Sequence, residues 1–400
     1  MKFKYDILII GGLGHVGLPL GIVFASKGLK VCLQDINKDY AITVNKGKMP
    51  FVEHGAEEIL EKVIANGNLT VSLDPASISE AQSIIIAIGT PIDQYNNPKI
   101  WQFIKFINGI RKYLSPSQLI IVRSSIYPGT CKNIINELGN GQKWHLAYCP
   151  ERILQGYAIR ELEILPQIIS GFTNIAIEKS SDLFKYITPT IIYASVAEAE
   201  LVKLFSNAWR YIQFATANQF YMLSDEFGVN YDNVRKIMIE GYNRTSSLPS
   251  AGFTAGPCLL KDTMQLSAFS NTFLLGHSAM MINEGIPGYI VNKLREKYDL
   301  SKMKVGILGM SFKAEIDDVR DSLSFKLGKI LKTQCAEVFY SDEFAKNPDF
   351  ISKETLINKS EIVIIGAPHS IYSNLSIPER IEIIDIWGIL MKDKSTKSNK

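Results

Sequence analysis

The sequence predicts an α/β protein in three parts: a doubly wound N-terminal domain over residues 1–194, a central all-helical domain over 195–298 built on one long helix, and a smaller C-terminal α/β domain over 299–392. Three observations carry this. From Tyr5 to about Pro189, short apolar, β-rich runs alternate with helical patterns; near-continuous apolar strands separated by helices belong to a parallel sheet covered on both faces. Between Ala197 and Phe227 there is neither glycine nor proline, and Leu201, Leu204, Phe205, Ala208, Ile212, Ala215 and Met222 recur at helical spacing, the pattern of one helix of about eight turns. From Met303 the α/β alternation returns.

In chain order, Ile7-Leu8-Ile9-Ile10 is the first strand, and Val31-Cys32-Leu33, Ile84 to Ile88 and Leu119 to Val122 follow as further strands. The long helix is longer than a small domain needs to cover its own core, which predicts a homodimer paired through residues 197–227. The C-terminal strands are Val305 to Leu308, Glu337 to Tyr340, Ile362 to Ile365 and Ile381 to Asp385, and the lysine-rich tail 393–400 reads as disordered.

Composition narrows the function classes. A chain of 400 residues, 46% hydrophobic and 21% charged, is an ordinary soluble globular protein with room for two or three domains. A net charge of +3 is too mild for a nucleic-acid or membrane-surface partner. Five scattered cysteines without a CxxC pair indicate neither a disulfide framework nor a metal site. With no signal-like leader and no apolar run long enough to span a bilayer, the expectation is a cytoplasmic protein in a reducing compartment.

The first strand runs into Gly12-Leu13-Gly14-His15-Val16-Gly17 and then a helical run. Glycines at these positions allow a tight turn, close approach of backbone to a pyrophosphate, and helix packing on the strand, while the helix N-terminus supplies N–H groups. Asp35, at the end of the second strand, is placed for adenosine ribose hydroxyls, which favours NAD over NADP. The N-terminal domain is therefore expected to be Rossmann-like. The alternative is a tight turn only. Thr90-Pro91, Arg123-Ser124-Ser125 and Pro150-Glu151-Arg152 follow strands, where open α/β sheets place ligands; position alone leaves open whether they are turn residues, or in Glu151 a solvated carboxylate.

Lys203 and Asn207 share one face of the long helix, and on that evidence alone Lys203 favours snorkelling to water over a pocket. Cys258, in Gly256-Pro257-Cys258-Leu259-Leu260-Lys261-Asp262-Thr263, differs from the other cysteines in its setting, because a nearby cation and local N–H groups favour the thiolate. In an NAD protein such a thiol suggests oxidation through a thioester. Gly309 to Lys313 and Asp317 to Ser322 bring cations near a strand end and a helix start, suiting a phosphate group or equally a salt-bridged surface.

Together these segments resemble the nucleotide-sugar dehydrogenase family, NAD-dependent enzymes that oxidise UDP-glucose, UDP-N-acetylhexosamines or GDP-mannose to uronic acids. The resemblance runs through Gly12 to Leu20, Gly89-Thr90-Pro91, Arg123-Ser124-Ser125 with Pro128-Gly129-Thr130, Pro150-Glu151-Arg152, Ala199 to Lys203 with Asn207, Cys258 to Thr263, and Phe312-Lys313 with Asp317 to Arg320. It implies that the central domain makes the dimer and that the C-terminal, also Rossmann-like, domain holds UDP. It further implies that Cys258 is the nucleophile, Asp262 its acid/base partner, Lys203 and Asn207 the groups at the developing oxyanion, and Glu151 the residue that orients hydrolytic water. Thr90, Pro91, Ser125, Lys261 and Arg320 fall at NAD positions, Lys313 at the substrate diphosphate, and Gly256 and Arg244 at the sugar, Arg244 reaching it from a neighbouring subunit. Where the family has a Gly-Gly pair, Ala255, Gly256 and Pro257 stand here. The loop after Pro150 looks like the N-acetylhexosamine branch and Cys258 to Thr263 like the UDP-glucose and GDP-mannose branches, so the expected substrate is a UDP-N-acetylhexosamine, with the other two as alternatives, for polysaccharide precursor synthesis. A two-electron hydroxyacid dehydrogenase would give Cys258 no role, and a non-catalytic redox sensor would leave Lys203, Asn207 and Asp262 unexplained.

Overall fold

Short runs rich in Ile, Val and Leu that are apolar on both sides suit strands shielded on both faces. In the computed structural model, which describes residues 3–90, 92–93, 97–139, 143–254 and 256–390, they form such strands. The first sheet has eight strands: β1 (Tyr5–Ile10), β2 (Val31–Gln34), β3 (Leu69–Ser72), β4 (Ala81–Ile86), β5 (Leu119–Val122), β6 (His145–Tyr148), β7 (Gln167–Gly171) and β8 (Ile191–Tyr193). Their order is β3-β2-β1-β4-β5-β6-β7-β8, so the order reverses beside β1, the switch point where doubly wound sheets bind ligands. Apolar layers cover both faces: Ile7, Ile9 and Ile121 pack with Leu18, Leu20 and Phe24 on one side, and Leu8, Ile84 and Ile120 with Phe103, Ile107 and Ile134 on the other.

One part of the sheet departs from the parallel expectation. β7 pairs antiparallel with β6, and β8 then runs parallel to β7. The link from β6 to β7 contains only the 7-residue helix Ala158–Ile164, which rises about 10 Å and does not return the chain to the opposite edge.

The long helix spans Val196–Glu226, ending where Gly228 takes φ +77°. Leu204, Ala208, Tyr211 and Ala215 are buried, whereas Phe205 is 55% exposed. Phe205 thus belongs to a different face from the one its apolar spacing suggested. Helices Tyr231–Ile239, Leu259–Phe269 and Leu274–Lys297 follow. The second sheet consists of β9 (Lys304–Leu308), β10 (Glu337–Ser341), β11 (Ile362–Ile365) and β12 (Glu382–Ile384) in the order β10-β9-β11-β12, parallel throughout.

By internal contacts the chain forms two compact units. The first takes the chain up to Ser206 together with Met264–Asn271; the second takes Asn207–Thr263 and the chain from Thr272 onward. No helix among the described residues is long and apolar enough to cross a membrane. The tail 393–400 and the positions of Pro91 and Ala255 lie outside the described residues.

Candidate active site

In the first unit the glycine turn leaves β1 and enters the helix Gly17–Ser26. A Cβ on Gly12 would lie 2.7 Å from Ile9 O and 2.8 Å from Leu33 Cα, and one on Gly17 would lie 2.3 Å from Gly11 O. Neither position admits a side chain. Gly14 meets nothing closer than 3.5 Å, so its open face is where a pyrophosphate can approach backbone. Gly11, just before the motif, has φ +74° and makes the sharp exit from β1, a requirement the sequence reading did not single out. Asp35 Oδ2 accepts the Leu13 N–H at 2.9 Å and Oδ1 accepts those of Ile36 and Asn37. The acid therefore braces the turn while remaining half-buried. His15 stacks on Phe51, ring centres 4.0 Å apart, and its Nδ1 lies 3.2 Å from Gln155 Nε2. This cradle fits a dinucleotide.

Thr90, Ser125 and Glu151 follow β4, β5 and β6 at the same C-terminal edge. Ser124 Oγ donates to Ile86 O and Ile88 O, which locks the end of β5 to β4 beneath the half-buried Ser125. Glu151 is not a solvated carboxylate. It is buried and ion-paired with the buried Arg123 guanidinium, while its Oε1 accepts the N–H groups of Arg152 and Ile153 at 2.5 and 2.8 Å. Arg123 also donates to Cys149 O and Gln167 Oε1 and lies over the Phe184 ring at 4.9 Å. Glu53, absent from the sequence reading, is buried and accepts the N–H groups of Gly156 and Ala158; burial raises its pKa against the pull of those N–H groups. Glu200 accepts from Gly129 N and Cys131 N and so caps the helix Thr130–Leu138 from the first turns of the long helix. Lys203 follows it, half-buried.

In the second unit Cys258 immediately precedes the helix Leu259–Phe269, and its carbonyl accepts the Asp262 N–H at 2.9 Å. It holds the N-cap position, where unpaired helical N–H groups and the helix dipole favour an anion. Of the five thiols Cys258 alone is exposed. Burial pushes Cys149 up to about 12, raises Cys131 well above the ordinary thiol range, and raises Cys32 and Cys335.

Asp262 has no exposed surface. Its Oδ2 accepts from Asn207 Nδ2 at 2.6 Å, and Lys261 Nζ lies 3.7 Å from Oδ1. One helix turn thus separates Cys258 from Asp262, whose carboxylate meets Lys261 and, from the long helix, Asn207, and Asn207 retains a second N–H. Gly256 has φ +103°, and a Cβ there would lie 2.5 Å from the Phe312 ring, so this glycine is sterically required. Arg320 grips Asp318 through both carboxylate oxygens; that hydrogen bonding, with smaller contributions from the charges of Asp318, Cys258 and Asp321, raises its pKa. Lys313 is half-buried on the same loop. Arg244 is exposed and donates to Tyr242 Oη at 3.3 Å.

A nucleotide cradle at a switch point and a helix-capping thiol in one chain are the equipment of a dinucleotide-dependent oxidoreductase. Comparison gives the family. Three models of the UDP-glucose/GDP-mannose dehydrogenase family match: the NAD binding domain over residues 6–188, the central domain over 197–285 and the UDP binding domain over 306–392. The chain belongs to this family and is an NAD-dependent nucleotide-sugar dehydrogenase. It is 29% identical over 371 residues to the UDP-N-acetyl-D-mannosamine dehydrogenase of Methanocaldococcus jannaschii, covering 91% of this chain and 86% of that one. Among solved structures it is similar to the UDP-D-ManNAc dehydrogenase of Pyrococcus horikoshii (TM-score 0.88, 25% identity, 98% and 97% of the two chains). It is also similar to the UDP-N-acetyl-mannosamine dehydrogenase of Staphylococcus aureus (TM-score 0.85, 27% identity, 97% and 95%).

Proposed function

We propose that this enzyme oxidises the primary alcohol of a UDP-N-acetylhexosamine, UDP-N-acetyl-D-mannosamine in the first instance, to the uronic acid in two steps through a cysteine thioester, for polysaccharide precursor synthesis. The observation that carries the mechanism is Cys258, an exposed thiol at a helix N-cap with buried Asp262 one turn on. The names of the M. jannaschii, P. horikoshii and S. aureus proteins support the sugar.

NAD would supply the hydride acceptor, one molecule for each oxidation. Gly12, Gly14, His15, Val16, Gly17 and Asp35 hold it, with Thr90, Pro91, Ser125, Lys261 and Arg320 as further contacts. Lys203, or a water on Asp262, removes the alcohol proton. The Cys258 thiolate adds to the aldehyde carbon while Lys203 and Asn207 stabilise the oxyanion, one such donor contributing about 3 kcal/mol, and the resulting thiohemiacetal gives up the second hydride to become the thioester. Water activated near Asp262 and Glu151 cleaves the thioester, releasing the acid and restoring the thiol. Lys313 binds the diphosphate, and Gly256 and Arg244 the sugar.

The same reading divides the chain at 195, 299 and 393, places it in the cytoplasm, which five free cysteines support, and makes it a homodimer through the 197–227 helix. The test is NADH formed per sugar consumed on UDP-glucose, UDP-GlcNAc, UDP-ManNAc and GDP-mannose. Two NADH per UDP-ManNAc, and no acid from Cys258→Ala, are expected. One NADH per sugar, or normal acid yield from Cys258→Ala, overturns the thioester route, and preference for another sugar overturns the assignment.

A further inference from the structure

The loop between β9 and the helix Leu323–Lys332 carries Lys313 and Arg320 and presses Phe312 against Gly256, while Asp321 O accepts the Gly256 N–H. It is held in an unfavourable form. Glu315 and Asp321, at φ +61° and +53°, are the positive-φ residues other than glycine among those described, a conformation that a side chain disfavours. Strain of this kind persists only where surrounding contacts over-determine it.

For Glu315 those contacts converge on one imidazole. His369 has no exposed surface and sits between Phe344, stacked with ring centres 4.8 Å apart, and Tyr372. Its Nδ1 accepts the Glu315 N–H at 3.0 Å, so its proton is on Nε2. There it faces Ser311 Oγ at 3.2 Å and Asp342 Oδ2 at 3.3 Å. Ser311 Oγ in turn donates to Lys313 O, Asp342 Oδ2 accepts from Met310 N and Ser311 N, and Glu315 Oε1 accepts from Ser370 N, next to the histidine. The backbone on both sides of Lys313 is thus tied to His369.

We propose that His369 is a positioning residue for nucleotide-sugar binding: by accepting the Glu315 N–H it holds residues 310–315 in the form, strained at Glu315, that presents Lys313 to the substrate diphosphate. This rests on the reading of Lys313 given above. His369 touches neither substrate nor NAD in this scheme, so its loss appears in sugar affinity and leaves the chemical step alone. An asparagine side chain can place an acceptor near the Nδ1 position, a glutamine a donor near Nε2, and phenylalanine neither.

The test compares His369→Phe, His369→Asn and His369→Gln, with melting curves to establish folding. For His369→Phe, KM for the sugar nucleotide and Kd for UDP should rise about tenfold, the size of one lost hydrogen bond at its upper range, with kcat and the KM for NAD within about twofold. His369→Asn should recover to within about threefold of wild type, and His369→Gln should not. Unchanged sugar KM and UDP Kd in His369→Phe, or equal changes in kcat and the KM for NAD, overturn the proposal. If His369→Phe does not fold, equal behaviour of the Asn and Gln variants overturns it. A wild type that turns over no nucleotide sugar would count against the function proposed above, while the UDP Kd series still decides the role of His369.

Discussion

Two carboxylates in this chain occupy equivalent places, after the second strand of each sheet, and are treated in opposite ways. Asp35 keeps part of its surface open, whereas Asp342 is sealed. Burial alone would raise Asp342, but the hydrogen bond from His369, with the N–H groups of Ala345 and Ser311, holds its carboxyl down at about 2. An unfolded aspartate titrates near 3.9. The folded value is depressed, so the stabilisation is complete above the unfolded value and is lost as pH falls through the folded one, amounting to about 2.5 kcal/mol. Asp342→Asn removes this dependence. Urea unfolding should show a stability gap between wild type and Asp342→Asn that is constant above about pH 6 and narrows by about 1–2 kcal/mol on approaching pH 3. A gap independent of pH would show that the Asp342 carboxylate is not held down as described.

At the scale of the element, the long helix has two faces. Asn207, Ala208, Tyr211, Ala215 and Asn218 are buried on one. On the other, Val202, Phe205, Trp209, Phe220 and Leu223 are exposed, Trp209 by 61% and Phe205 by 55%, and their spacing keeps them in one stripe. Contiguous exposed apolar patches mark contacts with other chains, and the proposed two-fold pairing would cover this one. Trp209→Glu places a charge in the stripe. Light scattering should then show a shift from dimer to monomer at micromolar concentration, with the melting profile of the monomer still cooperative; a dimer unaffected by Trp209→Glu removes the helix from the interface. The antiparallel β7 belongs to this scale too, since its direction is set by the reach of one short helix.

Over the whole molecule, what was legible in the sequence follows from how far the information for each feature is spread along the chain. β1, β4, β5, β9 and β11 are near-continuous apolar runs and announce themselves. β3 and β8, short and mixed in character, carry no such signal, because edge strands need only one apolar face. The glycine turn with Asp35, and Cys258 with Lys261 and Asp262, were legible because each is local or follows a known spacing. The partners of Glu151 and Asn207 were not: Arg123 meets Glu151 by adjacency of β5 and β6, and Asp262 meets Asn207 only through folding. His369 gives no sequence signal at all, although Gly309 after one apolar strand and Asp342 after the next repeat the Gly11 and Asp35 layout. That repetition has a consequence for competition between ligands. The second copy is filled from within by an imidazole and four backbone N–H groups, which occupy the carboxylate that a ribose would need. Raising NAD far above its KM should therefore produce no inhibition competitive with the nucleotide sugar in initial-rate plots, and a competitive pattern would mean that the shell around Asp342 opens.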